Sequence, residues 1–119
     1  MAVKPFTVRT LCSKGDHVVV FTWDPIVAGD EGAPVEMPGS YDRTVQVTGT
    51  FAGPDRVQLQ GSLNGPDYNV LTDRHGATIA FRSAGLTSVE ETVAYMKPKV
   101  TAGAPTAVVM LLVRRPSRA

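Results

Sequence analysis

The chain has 119 residues, enough for one ordinary domain with a real hydrophobic core and too few for two. Apolar residues make up 43% and charged residues 19%, which excludes a solvated disordered chain. The formal net charge of +1 supplies no global field for gripping a nucleic-acid backbone or an anionic membrane, so neither is expected as a direct partner.

Seventeen valines, 12 threonines, 11 glycines and 9 prolines point to an all-β fold with many turns, and away from helical bundles and parallel α/β folds. Residues 6–11 read as a first strand, closed by a turn at Ser13-Lys14-Gly15-Asp16. Residues 17–23 form the second, where three consecutive valines imply burial on both faces. Residues 24–42 then hold Pro25, Pro34, Pro38, Gly29, Gly32 and Gly39. An irregular stretch of that length in a compact domain marks a functional or partner-ordered segment, here an extended acidic arm.

In residues 44–51, Val45, Val47 and Phe51 point one way with Gly49, and Thr44, Gln46, Thr48 and Thr50 the other. Ala52-Gly53-Pro54-Asp55 connects them to residues 56–62, where Val57 and Leu59 alternate with Gln58 and Gln60. The pattern predicts a hairpin with one core face and one neutral polar face. Asn64-Gly65-Pro66-Asp67 turns into a strand at 68–71, and Asp73-Arg74-His75-Gly76 into another at 78–81. Thr87-Ser88-Val89-Glu90 has capping-box spacing, read either as one short helical turn or as a loop.

Residues 94–100 form a strand in which Pro98 predicts an edge position or a bulge. Residues 107–113 are apolar throughout, so this last strand is either central or covered by a partner. About eight strands at these spacings predict an antiparallel β-sandwich, jelly-roll or Ig-like, as a single domain over residues 1–119 with the arm at 24–42 and a basic tail at 114–119.

Little in the chain points to catalysis. His17 opens an apolar strand and His75 sits in a turn, without the spacing of a metal site. Asp16 beside His17 lacks a nucleophile elbow, and Cys12 reads as a small packed thiol. The glycines at 29, 32 and 39 have the wrong spacing for a phosphate loop. No catalytic, cofactor-binding or metal-binding set is predicted, and the chain is read as non-enzymatic. A hydrolase would need a pocket joining His17 or His75 to a carboxylate. One cysteine allows no intrachain disulfide. The start lacks the apolar region of a secretory signal, and the longest apolar run of seven residues falls far short of the roughly 20 a membrane helix requires. Synthesis in a reducing bacterial cytoplasm is the expectation.

Charge distribution is more informative than its total. Residues 24–42 hold Asp24, Asp30, Glu31, Glu36 and Asp42, five of the 11 acids, with no lysine or arginine, whereas Arg114, Arg115 and Arg118 make the C-terminus basic. Such polarised segments suit electrostatic docking to neighbouring copies or to another surface. The candidate partner contacts are Trp23, Asp30, Glu31, Glu36, Met37, Tyr41, Arg114 and Arg115. A second surface, Gln46, Thr48, Gln58 and Gln60 with Trp23 and Tyr68, has the composition of a sugar-binding face, although Trp23 at the end of an apolar strand reads better as core or rim.

The order Gly29-Asp30-x-Gly32-Ala33-Pro34-Val35-Glu36-x-Pro38-Gly39, then Tyr41-Asp42-Arg43-Thr44-Val45-Gln46-Val47-x-Gly49-Thr50-Phe51, carries a resemblance. It continues through Val57-x-Leu59-x-Gly61-Ser62, Asn64-Gly65, Tyr68, Leu71 and Asp73, and ends with Tyr95-x-Lys97-Pro98 and Leu111-Leu112-Val113-Arg114-Arg115. Over most of its length the chain resembles small virion proteins from the structural modules of tailed bacteriophages and prophages. It departs from them at Gly53-Pro54-Asp55, in place of their Gly-rich turn. The resemblance implies a non-enzymatic β-sandwich on the outer capsid surface. That is an auxiliary decoration or cement protein, contacting the major capsid protein and copies of itself as a dimer or trimer. The alternatives are a neck, tail or fibre-associated adaptor and a carbohydrate-binding adsorption module.

Overall fold

The structure is a computed structural model that describes residues 3–12, 17–36 and 41–115. Twelve strands form among these residues, and no helix: β1 (Val3–Lys4), β2 (Thr7–Cys12), β3 (His17–Ile26), β4 (Glu31–Gly32), β5 (Val35–Glu36), β6 (Tyr41–Thr50), β7 (Arg56–Ser62), β8 (Asn69–Val70), β9 (Ala80–Phe81), β10 (Gly85–Ser88), β11 (Tyr95–Ala102) and β12 (Thr106–Arg115). A five-stranded sheet runs in the order β10-β6-β12-β3-β2. A seven-stranded sheet runs β1-β4-β11-β7-β8, with β5 also on β11 and β9 also on β7. Among the described residues only the short β1–β4 pair is parallel.

Alternation along each strand decides which side chains meet between the sheets. Val45 and Val47 of β6, Val109, Leu111 and Val113 of β12, and Val19, Phe21 and Trp23 of β3 turn inward from one sheet. Val57 and Leu59 of β7 and Met96 and Val100 of β11 meet them from the other, and Leu71 and Ile79 close the core. From β3 onward the chain changes sheet at most of its connections. The orders β3-β12-β6-β10 and β4/β5-β11-β7-β8/β9 are those of a jelly roll rather than of an Ig-like sandwich.

This wiring corrects the predicted hairpin. β6 and β7 do not pair: β6 lies between β10 and β12, and β7 beside β11 in the opposite sheet. The connection at 51–55 is a corner between sheets. Residues 85–88, expected in part as a helical turn or loop, form β10 and pair with residues 44–47 of β6. Pro98 lies in an interior strand, not at an edge. Val100 N–H bonds Asp30 C=O at 2.9 Å on the flank that Pro98 shares by the period of two. On that flank β11 pairs with Val35 at Met96 and with Glu31 at Lys99, so the missing N–H falls where the neighbouring chain has left the ladder. β12 takes the central place expected of an apolar strand.

The described part of the supposed arm is built into the sandwich. Trp23 is fully buried, donates its indole N–H to Ala33 C=O at 3.1 Å, and meets the Phe6 ring edge-on at 5.8 Å. Gly32 lies against that indole, where a Cβ would come within 2.5 Å of Trp23 Nε1, so this glycine is required by close approach. Asp30, 3% exposed, accepts the Val27 N–H at 3.1 Å and closes the corner between β3 and β4.

Asp55 fastens two corners at once. It is 3% exposed, and its carboxylate accepts the N–H of Ala52 at 2.6 Å and that of Ala104 at 2.8 Å. The first belongs to the β6–β7 corner and the second to the β11–β12 corner. Gly103, with φ of 74°, sits so close to Asp55 that any Cβ would collide with the carboxylate. Asp55→Ala leaves two N–H groups without their acceptor and is expected to cost about 2–4 kcal/mol in urea unfolding. Asp67→Ala in an exposed turn, the control, is expected to stay within about 1 kcal/mol.

Candidate docking face

The outward face of the five-stranded sheet carries two aligned rows of side chains. Register places Leu86, Gln46, Met110, Thr22 and Thr7 across the sheet in one row, and Ser88, Thr44, Leu112, Val20 and Arg9 in the next. These are the period-two partners of the core residues, so β3 and β12, apolar on both faces, present Val20, Met110 and Leu112 outward. Val20 is only 7% exposed although it faces away from the core. The rims stand higher, with Leu86 65% and Leu11 50% exposed. Between them lies an open groove of ≈330 Å³ lined by Arg9, Leu11, Val20, Thr44, Gln46, Leu86, Met110 and Leu112.

Arg9 is the one charged residue of that lining, and no described residue forms a hydrogen bond or ion pair with it. At the neighbouring end of the face Arg114 lies opposite Val18 and Tyr41 and approaches Asp42 with Nε to Oδ2 of 3.6 Å. Both partners are about half exposed or more, at 47% and 64%, so this pair is worth under about 1 kcal/mol.

The predicted contact residues are therefore distributed through the fold. Trp23 is in the core. Asp30 is buried and lies 3.7 Å from Lys4 Nζ. Glu31 pairs with Lys97 at 2.7 Å on the outer side of the seven-stranded sheet. Glu36 is exposed on β5, Tyr41 and Arg115 belong to β6 and β12, and Met37 lies outside the described residues. Among the described residues the basic end of the chain meets the acidic segment where Arg114 approaches Asp42.

The proposed sugar face does not assemble. Gln46 and Thr48 face outward from one sheet and Gln58 and Gln60 from the other, on opposite sides of the molecule, and Trp23 reaches neither. Tyr68 is on the second side, with Lys97 Nζ 4.2 Å from its ring centre. Burial, followed by the nearby Tyr95 and Glu31, holds its phenol above the ordinary value of 10.0. His75 is exposed in its turn, and Asp16 lies outside the described residues. Among the described residues no three His, Cys, Asp or Glu side chains form a group able to hold a metal ion.

A second polar cluster sits where β10 leads into β11. Arg43, 9% exposed, reaches Glu90 C=O at 3.5 Å and Thr92 Oγ1 at 3.4 Å. Glu91 accepts the Thr72 N–H at 2.8 Å and its O–H at 2.6 Å. The cluster ties one connection to another.

Sequence reasoning missed Arg9, Leu11 and Leu86 as neighbours of one groove. The available signal was the outward file of β12, Val108, Met110 and Leu112, whose apolar character its core role does not require.

No protein-family model matches the sequence, and no curated protein matches it. Comparison of folds does find relatives in shape. The crystal structure of the SPBc2 prophage-derived protein YomS matches with a TM-score of 0.64 at 11% identity, over 87% of this chain and 98% of that one. A double-stranded β-helix protein from Klebsiella pneumoniae aligns with a TM-score of 0.44 at 16% identity, over 97% and 80% of the two chains. The first likeness establishes a shared β fold.

The Glu91 fastening has a pH signature. Burial pushes its carboxyl up, but the Thr72 hydrogen bonds, its own backbone N–H and the Arg43 charge more than reverse this, leaving it below the usual 4.5. A lowered folded value means that its contribution is fully present above the unfolded value and is lost as pH falls through the folded one. Glu91→Gln should therefore be less stable than the parent at pH 7, and the gap in urea midpoint should narrow steadily below about pH 4.5.

Proposed function

We propose that this chain is a non-enzymatic structural protein of a tailed-phage virion, and specifically a decoration protein that binds the major capsid protein on the outer shell. The observation that carries the reading is the match of fold to the prophage-derived protein YomS, end to end in that chain. The ordered sequence pieces that resemble small phage virion proteins support it, and so does an outward sheet face whose apolar floor exceeds what folding needs.

The physical role follows from linkage. A protein that binds only the assembled shell adds free energy to that state alone and stabilises it by mass action. A jelly roll suits such a role because its sheets are tied through several corners and offer broad outer faces. The contact surface in this reading is the outward face of β10-β6-β12-β3-β2, with Arg114 at its end, rather than a free arm. Copies of the chain would sit over capsomer junctions as dimers or trimers.

Purified protein mixed with capsids that lack it should co-sediment with them and raise their melting temperature. Imaging of labelled particles should count hundreds of copies distributed over the head. Failure to bind, with no change in melting temperature, overturns the decoration reading. About a dozen copies at one vertex or on the tail would instead assign the chain to an adaptor position.

A further inference from the structure

We infer that the groove on the outward face of the five-stranded sheet receives one segment of a partner protein in which apolar side chains flank a carboxylate, with Arg9 taking the carboxylate. This rests on the docking reading above and names the chemistry of its partner. The floor of Val20, Met110 and Leu112 and the rims Leu11 and Leu86 remove apolar side chains from water without any rearrangement of the core. Thr44 and Gln46 offer donors and acceptors to the backbone such a segment brings with it.

Charge chooses between occupants. Arg9 is the only ion of the lining, and its planar guanidinium matches a carboxylate by two parallel hydrogen bonds. A second copy laid groove to groove would set the Arg9 of each chain against a lining that holds no acid. From β10 to β2 the face spans four strand spacings, about 19 Å, wide enough for a single segment between the rims and too narrow for two packed helices.

The test is a titration of isotope-labelled protein, followed by backbone amide shifts. The probes are an end-capped octapeptide of alternating leucine and glutamate, the same peptide with lysine in place of glutamate, and decanoate. Shifts confined to Arg9, Leu11, Val20, Thr44, Gln46, Leu86, Met110 and Leu112 with the glutamate peptide are expected. The lysine peptide should leave them unmoved. Arg9→Glu, an exposed substitution, should weaken the response about tenfold or more, while Arg9→Lys should weaken it less.

Equal response to both peptides, no response on this face, or response to decanoate alone overturns the inference. So do shifts of the same residues on simple dilution, which would make a second copy the occupant. Peptide binding at the groove without capsid binding would sink the decoration reading and leave this inference standing. Capsid binding that Arg9→Glu does not weaken, without a peptide response, would do the reverse.

Discussion

A jelly roll that changes sheet at most of its connections must bring backbone through corners between two apolar layers, where N–H groups have no ladder to join. That constraint governs where this chain spends its buried polar side chains. Asp30, Arg43, Asp55 and Ser62 are the buried polar residues among those described, and the side chain of each serves a corner, turn or connection. Asp30 closes β3 to β4, and Asp55 joins the β6–β7 corner to the β11–β12 corner. Arg43 serves the β10–β11 connection, and Ser62 Oγ accepts the N–H groups of Asn64 and Gly65 at 3.2 and 2.9 Å. An acceptor buried with its donors avoids the desolvation cost that makes an unpaired group expensive.

The same constraint changes what the acidic stretch means. Read along the chain, five acids without a base look like a docking arm. In the fold, Asp30 satisfies backbone, Glu31 meets Lys97, and Asp42 meets Arg114. Charges that look segregated in sequence are brought to their partners by strands that neighbour one another across the sandwich. The near-neutral total is then the sum of local pairings as well as of separated poles, and long-range steering by the arm loses much of its basis.

How much could be read in advance follows from the range of each interaction. Strands rest on alternation and turn chemistry, both local. The eight expected strands therefore correspond to β2, β3, β6, β7, β8, β9, β11 and β12, and β12 takes a central place. Pairing is not local. Val45, Val47, Val57 and Leu59 alternate identically whether their strands lie side by side or face each other, so the hairpin reading had no internal contradiction. β10 was missed because Gly85–Ser88 carries only Leu86 as a large apolar residue, and that one points outward, reversing the usual signal. The groove was least legible: Arg9, Gln46, Leu86 and Met110 become neighbours through registers that no spacing reveals.

One feature of composition acquires a physical reason from the fold. Central strands whose outward side chains are Val18, Val20, Met110 and Leu112 expose apolar surface to water, which a sandwich does not need for its own core. Thr22, Thr44 and Gln46 interrupt that surface, and the long Arg9 side chain lines one side of it with its charge still hydrated. Val20 is nearly covered in this way while Leu86 and Leu11 are not. The face is thus hydrated enough to stand alone and apolar enough to gain from being covered, as a surface that exchanges water for a partner requires.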